Sequence, residues 1–240
     1  MACALVKKLG SYVDLSPKEI ALLEQASARV QTVEARTDVI REGEAPCDVH
    51  LVVSGLACRY KLLEDGSRQI VAFLIPGDFC DLNVFILSQM DHTIGAISPV
   101  EMVWLPREQM LELMSHPNIS RAMWLVSLVD EATLREWITN LGQRSAEHRL
   151  AHLFCELYLR MKTVGLTNGY EFELPVTQAE LGDTLGLSTV HVNRSLQSLK
   201  AANLATFKGK KIIINDMTKL KKISGFRDNY LHLPWANEAA

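Results

Sequence analysis

An arginine and two carboxamides, Asn193, Arg194 and Gln197, stand within five residues of one another. Guanidinium and carboxamide groups each present paired hydrogen-bonding atoms in a plane, the geometry that fits the major-groove edge of guanine or adenine. On a helix over residues 188–204, Val190, Asn193, Arg194 and Gln197 share one face, with Thr189 and His191 near its N-terminus. Val192, Leu196 and Leu199, at i, i+4 and i+7, form a second face that turns inward. The N-terminal end of such a helix itself attracts phosphate. A polar face of this kind also suits an ordinary solvated helix, so the reading depends on what surrounds it.

The stretch before it, PVTQAELGDTLGL, predicts a second short helix ending in a tight turn. Thr177 with Glu180 three residues on is a capping box, and Val176 and Leu181 stand at staple positions around it. Gly186 ends the helix where a positive φ is wanted. Ser188 caps the next helix, with Leu187 and Val192 again at staple spacing. Gly182 keeps the first helix narrow where the second must cross closely. Two short helices joined through a glycine turn predict a helix-turn-helix, whose second helix enters the major groove of double-stranded DNA. Beyond it, ATFKGKKIIIND reads as a hairpin whose tip offers Lys208, Lys210 and Lys211 to phosphates.

The rest of the chain must position these groups. It has 240 residues, 48% hydrophobic and 22% charged, the composition of a soluble globular protein of one or two domains. No apolar run reaches the length of a membrane span and no signal-peptide core is visible, so the cytoplasm is the default location. The net charge of −3 is uneven. Residues 1–146 hold 13 Lys and Arg against 19 Asp and Glu, which leaves 12 against 9 in the remainder. A mildly basic C-terminal part suits a polyanion. Five scattered cysteines and seven histidines form no C-x-x-C, H-x-H or H-E-x-x-H pattern, which argues against a disulfide framework or a metal centre.

Ser16-Pro17 opens a predicted helix within residues 14–29. From Val30 to Leu105, short β-type runs (VHLVVS, CRYKLL, RQIVAFLI, VEMVWL) are punctuated by Gly43, Gly55, Gly66 and Gly77. Evenly spaced short strands predict an antiparallel sandwich or barrel, with Asp65-Gly66 its best hairpin turn. From Asn118 to Leu141 the chain is helical, and AMWLVSLV is apolar almost all round. Such a helix must be covered on more than one side. Its own β-domain covers one and a second copy of the chain would cover the other, the alternative being a helix buried in the core of a monomer. Gly142 offers a hinge before a helix over Ala146–Lys162. The fold class is therefore α+β: a β-roll sensor domain at 1–117, a dimerisation helix and hinge at 118–142, and a winged helix-turn-helix domain at 143–240. In the tail, Tyr230, Leu233 and Trp235 suggest docking.

This order of parts resembles the Crp/Fnr family of bacterial transcription regulators, over roughly residues 14–222. The motifs that carry the likeness are IREGEAP, VVSGLACRY, DGSRQI, LIPGDF and TQAELGDTLGLSTVHVNRSL. The resemblance implies a homodimer reading a palindrome, with RNA polymerase as a partner. It implies base-reading positions at Thr189, Val190, Asn193 and Arg194, and phosphate contacts at Thr177, Gln178, Ser188 and His191. An effector pocket would involve Asp81, Leu82, Asn83, His92 and Thr93. Members that bind cyclic AMP carry a Gly-Glu pair after PGDF and an Arg-Ser pair further on. Here the two places read Cys80-Asp81-Leu82-Asn83 and Asp91-His92-Thr93-Ile94. A His that is mostly neutral at pH 7 does not replace an arginine clamp. Cys3 alone does not make the N-terminal cysteine cluster of the iron–sulfur members. Neither cofactor is expected. Val190, where many relatives have Glu, points to a different operator.

Two other classes are weighed. A cyclic-nucleotide signalling module would not need the intact helix-turn-helix and lysine tip, and would need the missing phosphate ligands. A cupin-type enzyme would need clustered His and Glu, whereas His50 and His92 stand apart. No enzymatic activity is expected.

Overall fold

The computed structural model describes residues 3–82 and 86–233. The N-terminus forms two helices where the sequence predicts one. Helix α1 (Ala4–Gly10) buries Leu5, Val6 and Leu9; seven residues carry too little periodicity to be seen in sequence. Helix α2 (Pro17–Ala26) opens on a capping box, Glu19 N–H donating to Ser16 Oγ at 3.3 Å and Ser16 N–H to Glu19 Oε2 at 2.8 Å.

Strands β1 (Gln31–Val33), β2 (Asp38–Ile40), β3 (Asp48–Ser54), β4 (Ala57–Leu62), β5 (Arg68–Leu74), β6 (Thr93–Ala96) and β7 (Val100–Pro106) then form the roll. One sheet has the order β1-β7-β3 and the other β2-β6-β4-β5, antiparallel throughout. Gly43, Gly55, Gly66 and Gly77 all have positive φ, between 83° and 92°, as turn glycines should. The Asp65-Gly66 turn joins β4 to β5, closed by Leu63 N–H to Ser67 O at 2.8 Å. Val49, Leu51, Phe79, Met102 and Leu105 are buried in the roll's apolar core.

Helix α3 (Arg107–Met114) leads into α4 (Pro117–Gln143), which is 27 residues long. Ala122, Met123, Val126 and Val129 are buried in it, while Trp124 and Leu128 on its other side are 62% and 51% exposed. The helix breaks at Arg144, not at Gly142. Arg144 turns extended, and Ser145 caps α5 (Ala146–Thr163) by accepting from His148 N–H at 3.4 Å. Strands β8 (Thr167–Asn168) and β9 (Glu171–Glu173), helices α6 (Gln178–Leu185) and α7 (Thr189–Ala201), strands β10 (Ala205–Lys208) and β11 (Lys211–Ile214), and helix α8 (Met217–Ser224) complete the C-terminal half. Its sheet runs β10-β11-β9-β8.

The two halves share one apolar core, in which Leu56, Ile70, Phe73 and Ile75 of the roll meet Trp137 of α4 and Phe154 and Leu157 of α5. A buried polar chain threads the same junction. Lys8 of α1 pairs with Asp78, and Asp78 accepts from Arg160 of α5 at 2.8 Å. Arg160 reaches Glu156, which also accepts from Trp137 Nε1 and Tyr230 Oη, each at 3.0 Å. Burial alone would push the Asp78 carboxyl up, yet Lys8 and Arg160 hold it below the usual carboxylate range. Tyr230 and Leu233 of the tail are buried here, and Trp235 lies outside the described residues.

Candidate nucleic-acid interface

The α6–α7 pair is built as the sequence prescribes. Glu180 N–H donates to Thr177 Oγ1 at 3.1 Å, and Thr177 N–H to Glu180 Oε2 at 2.6 Å. Gly186 takes φ 62° and ψ 42°, and its N–H bonds to Gly182 O. Ser188 Oγ accepts from His191 N–H at 3.3 Å and lies 3.2 Å from His191 Nδ1. Gly182 is needed for a different neighbour than expected: a Cβ there would meet Leu187 O in the turn at 2.5 Å, whereas Val192 of α7 stays 3.9 Å away.

Val192, Leu196 and Leu199 are buried and seat α7 on α5. Thr189, Val190, His191, Asn193, Arg194 and Gln197 are all exposed on its far side, Val190 by 64%. Asn193 Nδ2 reaches Gln178 Oε1 at 3.4 Å, tying the face of α7 to the start of α6. Thr177 and Ser188, both exposed, cap the two helix N-termini, so free backbone N–H groups and the positive dipole ends flank the same region. Strands β10 and β11 pair in the register Lys208↔Lys211, which puts Lys208, Lys210 and Lys211 together and exposed at the hairpin tip. Among the described residues, no hydrogen bond or ion pair holds the side chains of Arg194, Lys208, Lys210 or Lys211. Four cations left without carboxylate partners form a surface suited to a polyanion.

In the roll, the residues expected to line a pocket have the following surroundings. Thr93 Oγ1 accepts from Glu42 N–H at 3.1 Å, so its hydroxyl oxygen is already engaged. Leu82 packs against the α3–α4 corner beside Met114, Met123 and Trp124. Asn83 lies outside the described residues. Asp81 and His92 do come together, with Asp81 Oδ2 3.1 Å from His92 Nε2 and Asp91 Oδ1 2.6 Å from Nδ1. The setting of His92 favours its charged form more than the sequence alone indicates. Burial works against its charge, but Asp81 and Asp91 outweigh burial and raise its pKa above 6.5. The group that sequence reasoning missed is Arg59 on β4. Its side chain is only 12% exposed, and Nη2 donates to Asp130 Oδ2 of α4 at 3.1 Å. The two residues lie 71 apart in the chain, so no local pattern announces them. Among the cysteines, Cys58 and Cys80 are buried, and desolvation pushes the Cys58 thiol up to about 12 and Cys80 up as well. Both are poor candidates for the redox signal that exposed cysteines can carry.

Comparison with known proteins places these parts. Residues 30–116 match the cyclic nucleotide-binding domain and residues 148–223 the Crp-like helix-turn-helix domain. The transcriptional activator protein FnrL of Cereibacter sphaeroides is 29% identical, over 87% of this chain and 85% of its own length. The nitrogen fixation regulation protein FixK of Azorhizobium caulinodans is 24% identical over 78% of this chain and 75% of its own. Among solved structures, FixK2 from Bradyrhizobium japonicum superposes with a TM-score of 0.72 at 25% identity, over 81% of this chain and 96% of that one. A CooA mutant from Carboxydothermus hydrogenoformans shares the fold, with a TM-score of 0.66 at 20% identity over 92% and 95% of the two chains.

Proposed function

This chain belongs to the Crp/Fnr family of transcription regulators, and we propose that it acts as a homodimer reading a two-fold symmetric operator with paired α7 helices. DNA binding and regulation of transcription are the business of the family; the dimer and the palindrome are our reading. The observation that carries it is the exposed face of α7, flanked by two capped helix N-termini and three wing lysines, with Arg194 and those lysines left unpaired. The dimer rests on α4. Trp124, Leu128, Leu134 and Ile138 are exposed by 40–69% along the side of α4 that the roll leaves uncovered, a stripe that a symmetry mate would bury. In each half-site Arg194 reads a base, Asn193 is held by Gln178 to present its amide, and Val190 offers an apolar contact to a thymine methyl. Lys208, Lys210 and Lys211 bind phosphate. RNA polymerase is the partner expected of an activator such as FnrL, and the site of action is the cytoplasm; no described helix is long and apolar enough to cross a membrane.

We infer further that cyclic AMP is not the effector. A buried cyclic phosphate needs a fixed cation and donors, and the Asp81–His92–Asp91 group presents carboxylates on both sides of a single imidazole. Genome-wide binding of the protein, followed by electrophoretic shift on the enriched sequence with and without cyclic AMP, tests both parts. A two-fold symmetric motif bound equally in both lanes is expected. Asymmetric or unspecific enrichment would overturn the operator reading, and strict dependence on cyclic AMP the effector reading.

A further inference from the structure

The surroundings of Arg59 are those of a ligand site whose ligand is part of the chain. Its Nε donates to Cys80 O at 2.6 Å, and Nη2 to Phe79 O at 3.3 Å and Asp130 Oδ2 at 3.1 Å. Asp81 Oδ1 lies 3.7 Å from Nε. Two backbone carbonyls and two carboxylates therefore converge on one planar cation, between the roll and α4. The donors of a guanidinium fork match this set of acceptors, and an ammonium or a neutral amide could satisfy only part of it. Asp81 Oδ2 lies 3.1 Å from His92 Nε2 without completing a hydrogen bond to it, and His92 Nδ1 lies 2.6 Å from Asp91 Oδ1. The segment at 79–81, the strand β4 and the helix α4 are thus joined through a single side chain. Asp130 stands at the far end of that link, and it also lines the junction where Lys8, Asp78 and Arg160 bind the DNA-reading half to the roll.

We propose that the space between the roll and α4 is a cation site, lined by Asp81, Asp130 and the carbonyls of Phe79 and Cys80, and that Arg59 is its built-in occupant. The chain supplies its own ligand, and the roll is coupled to α4 without a diffusible one. A small molecule able to compete there is a guanidinium or amine cation, because any anion would face the same carboxylates that hold Arg59. The site stands whether or not α7 reads DNA, and its test is independent of DNA.

The test uses the full-length protein and its Arg59→Ala and Arg59→Lys variants, with methylguanidinium chloride as probe and sodium chloride and tetramethylammonium chloride at matched ionic strength as controls. Removing the side chain leaves two carboxylates and two carbonyls around an open space, an unfavourable arrangement until a cation returns. Arg59→Ala should melt below wild type and regain part of the loss in saturable fashion as methylguanidinium is added. Neither control salt should reproduce this, and wild type should show no saturable response. Arg59→Lys, which keeps the charge but not the fork, should melt between the two. Should Arg59→Ala not accumulate as folded protein, Asp130→Asn in the native background reports the same site, and a melting temperature equal to wild type there would overturn the proposal. So would an Arg59→Ala variant that folds and shows no saturable methylguanidinium binding by calorimetry.

Discussion

Replacing Gly182 with alanine sets two effects of opposite sign against each other. In a helix interior the change is stabilising by about 0.8–1.0 kcal/mol, through restored helix propensity. At this position the new Cβ would lie 2.5 Å from Leu187 O, and ordinary contact begins at 3.4 Å, so the turn must retreat by 0.9 Å. Such overpacking costs about 1–3 kcal/mol. The turn is not free to retreat, since Leu187 N–H donates to Gly182 O at 3.1 Å and Gly186 N–H bonds to the same oxygen. Losing one of these bonds adds roughly 1 kcal/mol. The balance is a destabilisation of roughly 1–3 kcal/mol, concentrated where α7 leaves the turn. Gly142→Ala is the matched control: its Cβ would meet nothing within 4 Å in the last turn of α4, so only the propensity gain remains. Urea denaturation of the two variants should move the midpoints in opposite directions at unchanged slope. Gly182→Ala should also lose operator affinity under conditions where it is fully folded, because α7 is displaced with the turn. A Gly182→Ala protein as stable as wild type, with native operator affinity, would falsify the assignment of this glycine to the turn.

Arg194→Ala should cost about 1–3 kcal/mol at the operator and relax preference at one position per half-site; equal loss on random DNA would show a phosphate contact instead. Replacing Lys210 and Lys211 together should weaken every sequence alike and reduce the slope of log affinity against log salt, read by anisotropy titrations at several salt concentrations. Leu128→Glu places a carboxylate in the exposed stripe of α4, and sedimentation equilibrium at micromolar concentration should show monomer; an unchanged dimer would move the interface elsewhere. His152 is buried, its Nδ1 3.1 Å from Asn140 Nδ2. Desolvation, and Arg144 after it, lowers its pKa to about 3. The unfolded chain therefore takes up this proton first, so stability present above pH 6.5 is lost as pH falls towards 3, by up to roughly 1.4 kcal/mol per unit. Denaturation midpoints between pH 7 and 4 should fall less steeply in His152→Gln than in wild type.

What the sequence disclosed was whatever is coded locally. Both caps of the helix-turn-helix, the positive-φ glycines and the Lys208–Lys211 tip can be read from neighbours within four residues, because capping and turn chemistry act over that range. The long helix was legible from its apolar excess, and its burial by Ala122, Met123 and Val126 on one side and exposure of Trp124 on the other follow from that excess. Short β1, β2 and β6 were not legible, being three or four residues each. The Glu156–Arg160 pair looks like an ordinary i, i+4 surface pair, and only the fold shows that Glu156 is completely buried. Arg59 and Asp130 meet across 71 residues, a distance at which spacing carries no signal. In the roll the sequence therefore showed which residues occupy the places of the Gly-Glu and Arg-Ser pairs, and the fold was needed to show that Arg59 meets Asp130.

The polar thread from Lys8 through Asp78, Arg160 and Glu156 to Tyr230 bears on how this protein can be dissected. A fragment cut at the helix break after Arg144 would retain α6, α7 and the wing, yet it would strip Glu156 of Trp137 and Arg160 of Asp78. Both groups would meet solvent or one another in a site shaped for partners no longer present. The reading head is therefore poorly suited to excision. Chimeras that join it to another N-terminal domain should carry the end of α4 with it, so that Trp137 stays with Glu156.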